Sequence, residues 1–169
     1  MRSATTVAKV RQAPKTRRAV GASIPDDPSV KREIRLAQFE KAIERLLSER
    51  ENRDFVVFEM RGSPDSYVQY VLHDGDLFGE VGSRGWKSEG EVLDKERVAA
   101  LGCLGFEGGG LKANFVRYLL PQEARRLACL TELLFGAAYQ PPRDYDVTVL
   151  TKSLIETQAA GRHARDADA

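Results

Sequence analysis

Three short β-like runs follow one another with almost nothing between them: DFVVFEM (54–60), SYVQYVL (66–72) and LFGEVG (77–82). A parallel return would need a crossover of roughly a dozen residues or more, and neither spacer is that long. Both spacers carry turn chemistry. RGSPD follows the first run, and in HDGD the glycine Gly75 stands after Asp74, which suits the positive φ of a tight hairpin. The central third of the chain is therefore predicted to be an antiparallel meander. Such a sheet has to be completed by another layer of structure.

The flanks supply helices. Leu36, Phe39, Ile43, Leu46 and Leu47 fall on one helical face, while Lys41, Glu44, Arg45 and Glu49 fall on the other. After the polar loop SRGWKSEGE, the stretch LDKERVAALGCLG predicts a short helix with Asp94 as N-cap. LKANFVRYLL reads as a fourth strand. PQEARRLACLTELLFGAAY reads as a long final helix with Pro121 in its first turn. QPPRDY breaks that helix, and DVTVL is one more edge strand. The fold class is α+β, a small layered sandwich in the order helix, three-stranded antiparallel meander, helix, strand, helix.

At 169 residues, with 42% of them hydrophobic, the chain supports one sizeable core. Residues 1–33 read as a disordered basic arm, 34–150 as a single domain and 151–169 as a polar frayed tail. The segment 1–20 holds six basic side chains (Arg2, Lys9, Arg11, Lys15, Arg17, Arg18) and no acid. All 25 acidic residues lie after it, against the remainder of the 26 basic ones, so a basic arm is tethered to an acidic body. The arm suits phosphate backbones or anionic surfaces as well as a solubilising role, and nucleic acid through Arg11, Lys15, Arg17 and Arg18 is the alternative function. No run approaches the roughly 18 apolar residues of a membrane helix, and no apolar signal core opens the chain, so a cytoplasmic protein without a membrane partner is expected. Cys103 and Cys129 are expected to be buried, reduced thiols.

GFEGGGLKA (105–113) comes within one residue of a phosphate-binding loop, but a helix enters it and a strand leaves it. Lys112 is displaced by one position, and Ala113 offers no hydroxyl to a metal. Gly105 is expected to end the preceding helix in a left-handed conformation, and Gly108 to Gly110 to form a mobile joint. His73, Asp74 and Asp76 are explained by the hairpin turn, and no His/Cys spacing matches a zinc site. No enzyme, cofactor or metal is expected.

Read together, SYVQYVLHDGDLFGEVGSRGW, LDKERVAALGCLGF and NFVRYLLPQEARRLACLTELLFGAAY resemble the type III secretion chaperone-like and YbjN-like peptide-binding domains (the TY-Chap group). The positions that carry the likeness are Tyr67-Val68-Gln69, Glu80, Leu101, Leu104-Gly105-Phe106 and Asn114-Phe115. The resemblance spans about residues 35–150. It implies a type III secretion chaperone-like fold, frequent homodimers, no catalysis, and a peptide or protein client. A twisted sheet with exposed edges and apolar grooves suits such a client. The partner surface is expected on Tyr67, Gln69, Tyr70, Glu80, Trp86, Phe115 and Tyr118, with Asn114 bonding a neighbouring turn.

Overall fold

The computed structural model describes residues 27–49, 54–83, 93–110 and 113–151. The elements run α1 (Pro28–Glu49), β1 (Phe55–Met60), β2 (Ser63–His73), β3 (Asp76–Val81), α2 (Lys95–Cys103), β4 (Glu107–Gly108), β5 (Phe115–Arg117), α3 (Ala124–Tyr139) and β6 (Val147–Thr151). The strands form one sheet in the order β4-β5-β3-β2-β1-β6, with every neighbouring pair antiparallel. The expected α+β order is present, DVTVL is the edge strand β6, and a two-residue strand, β4, is added at the opposite edge.

Alternation along the strands separates two faces. Val56, Phe58, Val68, Tyr70, Leu72, Leu77, Val81 and Phe115 point one way and are buried. They meet Phe39, Ile43 and Leu46 from α1, Leu101 from α2, and Leu127, Leu134, Phe135 and Ala138 from α3 in one core. Phe39 sits at its centre, edge-on to Phe58 at 4.8 Å between ring centroids and stacked on Phe135 at 6.1 Å.

Several boundaries differ from expectation for local reasons. α1 starts at Pro28, not 34, because Asp27 caps it: its carboxylate accepts from the Ser29 amide at 2.9 Å, and proline suits the first helical position. Asp27-Pro28-Ser29 is thus a helix start. The first hairpin turn is only Arg61-Gly62, and β2 runs on through Ser63-Pro64-Asp65, with a bulge at Glu59/Met60 on the facing strand. At the second turn Asp74 and Gly75 both have positive φ, the twist a two-residue hairpin requires.

Asp94 caps α2 as expected, accepting from the Arg97 amide, and Gly105 after it is left-handed. Gly108 to Gly110 are not a free joint. Gly108 pairs with Phe115, and a Cβ on Gly109 would overlap the Phe115 ring, so the glycines let β4 close over a core side chain. α3 begins at Ala124 rather than at Pro121; just before that proline, Leu120 donates to the Leu77 carbonyl at 2.9 Å and ties the chain to the end of β3. Both cysteines are free thiols, Cys129 half-buried but Cys103 exposed rather than buried. Residues 1–26 of the arm, the loop holding Trp86 and the tail after Thr151 lie outside the described residues. Among those described, no helix is long and apolar enough to cross a membrane.

Phe39→Ala is expected to lower unfolding free energy by about 3–5 kcal/mol, because no neighbouring ring can fill the space between Phe58 and Phe135. Urea denaturation followed by circular dichroism checks this.

Candidate functional site

The second face of the sheet carries no helix among the described residues, and its side chains line up in rows across the strands. Phe55, Val71, Phe78 and Tyr118 form an apolar row on β1, β2, β3 and the residue after β5; the Phe78 and Tyr118 rings lie 5.9 Å apart. The next row crosses all six strands: Leu150, Val57, Gln69, Glu80, Val116 and Glu107. Thr148, Glu59 and Tyr67 begin the third. Most of these side chains are half-buried, while Tyr118 is 68% exposed.

A polar clip fixes the centre of this face. The Tyr67 hydroxyl donates to Glu80 Oε1 at 2.9 Å, and the Asn114 amide nitrogen donates to the same oxygen and to the Tyr67 hydroxyl, both at 2.8 Å. Asn114 Oδ1 in turn accepts from the backbone of buried Ser83 at 3.1 Å. One side chain therefore satisfies a buried amide at the end of β3 and orients two groups on the open face. Burial, then the bond and the charge of Glu80, hold the Tyr67 phenol well above the ordinary tyrosine range. The side chain of Gln69, directly opposite Glu80, has no hydrogen-bond partner among the described residues, and the Tyr67 and Asn114 bonds to Glu80 both go to one oxygen.

Of the residues expected on a partner surface, Tyr67, Gln69, Glu80 and Tyr118 share this face. Tyr70 and Phe115 do not. Tyr70 is fully buried, its hydroxyl 2.9 Å from Thr131 Oγ1 on α3, and Phe115 is 3% exposed beneath the glycine loop. Each stands three residues from a face residue, Tyr67 and Tyr118 respectively, and odd spacing along a strand reverses the side chain. Trp86 and the arm residues Arg11, Lys15, Arg17 and Arg18 lie outside the described residues. Phe55, Val57, Val71, Phe78 and Val116 were absent from the expected surface, although the alternation of their strands placed them beside Gln69 and Glu80.

Sequence reading also missed a second polar centre, on the helix side. Arg35 of α1, 4% exposed, donates to both carboxylate oxygens of Glu132 on α3, at 2.7 and 3.3 Å. It also donates to the Tyr145 carbonyl at 3.0 Å, and its guanidinium lies 3.9 Å over the Tyr145 ring. The Tyr145 hydroxyl completes the set by donating to Glu132 at 2.8 Å. Burial works against the Arg35 charge, but Glu132 more than offsets it and keeps the guanidinium protonated. A cleft of about 420 Å³ lies beside it, lined by Pro28, Arg32, Gln140, Pro142 and Arg143 among others; it opens between α1, the end of α3 and the loop that follows. His73 and Asp74 pair at an exposed turn, 3.1 Å apart. No group of His, Cys, Asp and Glu among the described residues could hold a metal ion.

Residues 37–149 match the family model described as T3SS (YopN, CesT) and YbjN peptide-binding chaperone 3, TY-Chap3, and the chain belongs to that family. No curated protein and no solved structure matches it.

Asn114→Ala removes the side-chain acceptor of the Ser83 amide and the donor to Glu80 and Tyr67; a loss of about 1–3 kcal/mol in stability is expected by urea denaturation. Alkali gives a second check. Tyr67, Tyr70 and Tyr145 all have phenol pKa values raised chiefly by burial, so the folded chain keeps protons that the unfolded chain releases near pH 10. Their contribution is complete below about pH 10 and is lost as pH rises beyond it. Denaturation midpoints are expected to be flat across about pH 7–9, as far as these groups are concerned, and to fall steeply between about pH 10 and 11.

Proposed function

We propose that this member of a peptide-binding chaperone family is a non-catalytic holder of an extended client segment, and that the client lies on the open face of the sheet. One observation carries the reading. Gln69 and Glu80 face each other in register at the middle of that face, the first with its amide unengaged among the described residues and the second pinned through one oxygen, with apolar side chains on both sides. An unengaged amide and a fixed carboxylate beside apolar surface are what a peptide requires, since its amides need partners and its side chains need contact area.

Tyr67 and Asn114 set the site by fixing the Glu80 carboxylate, so little side-chain freedom remains to be lost when a client arrives. Val57, Val71, Phe78 and Val116 supply the apolar floor. Tyr118, the most exposed aromatic of the described residues, supplies a stacking surface at one side. Beside it Leu119 is 74% exposed. Its φ of 54 is one a leucine rarely adopts, and the pairing of Leu120 with Leu77 holds it there. Trp86, outside the described residues, belongs to the same proposal as a further client contact. Tyr70 and Phe115 act by packing beneath the sheet. A second copy of the chain is the rival occupant of this face, and light scattering across a concentration series separates the two. Nothing favours the nucleic-acid reading of the arm.

The test starts from the full-length chain, with peptides selected on it from a random display library and affinities read by fluorescence anisotropy. Tyr118→Ser and Gln69→Ala are expected to weaken the selected peptides about tenfold while leaving the unfolding midpoint nearly unchanged, as surface positions do. Selected peptides that bind both variants as tightly as the native chain would remove the open face as the site.

A further inference from the structure

The open face is acidic as well as apolar. Glu59, Glu80 and Glu107 all point from it: Glu59 stands opposite Tyr67, and Glu80 and Glu107 both stand opposite Val116. None of the three forms an ion pair among the described residues. No strand position facing that way among those residues is Lys or Arg; the nearest strand arginine, Arg117, points to the other side and donates to the Leu104 carbonyl at 2.7 Å. The helix side is built the opposite way, with acids matched in place: Glu132 by Arg35, Glu40 by Arg125.

Three carboxylates with no basic strand neighbour on a partly apolar surface give this face a negative potential. A cation placed beside any one of them forms an ion pair that the apolar surroundings strengthen. Glu80 and Glu107 are separated by β5 and so stand two strand spacings apart along one row. Two lysine or arginine side chains of one extended peptide span that distance easily. Their aliphatic stems would cover Val116 and Val57 in the same row.

From this complementarity we propose that the client segment is basic: an extended peptide in which lysine or arginine alternates with apolar residues, its cations on Glu59, Glu80 and Glu107 and its apolar side chains on Val71, Phe78 and Tyr118. The proposal rests on the peptide-holding reading above and names the chemistry of the client.

The experiment uses the full-length chain and three labelled synthetic peptides of about twelve residues, in which valine alternates with lysine, with serine or with glutamate. The lysine peptide is expected to bind about tenfold more tightly than the serine peptide at low ionic strength, with the glutamate peptide weakest. That preference is expected to shrink in about 0.5 M salt, where screening is nearly complete beyond a few ångströms. In a Glu80→Gln, Glu107→Gln double variant the lysine-to-serine affinity ratio is expected to fall toward one. Glu107→Gln alone, at an exposed position, should show part of the same fall without any question of folding. Equal binding of all three peptides, lost in Tyr118→Ser, would overturn the basic preference and leave the peptide-holding reading standing. A lysine preference that persists in the double variant would place the cations elsewhere and overturn the site. Binding of no peptide that depends on Tyr118 would overturn both.

Discussion

The seating of α3 on the central strand β2 determines what the rest of the domain can do. Two hydroxyls set it. Tyr70, in the middle of β2, reaches Thr131, which donates to the Leu127 carbonyl one helical turn earlier. Tyr139, at the end of α3, comes within 2.9 Å of the Tyr67 carbonyl and 2.7 Å of the Gly82 carbonyl, and accepts from the Tyr67 amide at 3.2 Å. These bonds are largely buried and directional, so the helix cannot slide along the sheet without leaving polar groups unmet. The apolar packing of Leu127, Leu134 and Phe135 contributes most of the stabilisation, and the two tyrosines decide its register.

Because α3 and α1 are committed to one face, the other face is defined by what the helices leave behind. The same strand then serves two purposes, Val68 and Tyr70 turned inward and Tyr67 and Gln69 outward. Tyr67 links them: its backbone is held from below by Tyr139 and its side chain joins Glu80 and Asn114 above. The order of the open face is thus inherited from the core.

The meander was legible because its connections are too short for anything else, and the helices because their apolar residues recur at helical spacing. Less legible were features that local composition hides or whose cause lies outside the stretch being read. Asp27 and Pro28 carry a clear helix-start signal, but neighbouring prolines and charges outweighed it when the stretch was read by composition. The glycine run at 108–110 looked like slack because its constraint is the ring of Phe115 beneath it. Around the candidate site, Tyr67, Gln69 and Glu80 could be picked out from strand chemistry alone. Separating Tyr70 and Phe115 from them required parity to be followed residue by residue, since aromatic character is the same on both faces. Arg35 gave no signal at all: an arginine on a charged helix is ordinary until Glu132 and Tyr145 arrive to meet it.

That last cluster has a kinetic side. Arg35 meets Glu132 across 97 residues of chain and the Tyr145 carbonyl across 110, whereas the hairpins of the meander close over a handful. Loop-closure entropy favours the local pairings first, so the meander is the natural early structure and the arginine clasp a late one. Interactions made after the folding barrier act on the rate of opening rather than the rate of closing. The clasp then behaves as a latch: it contributes little to how quickly the chain finds its fold, and much to how long α1, α3 and the segment leading into β6 stay together once they have met.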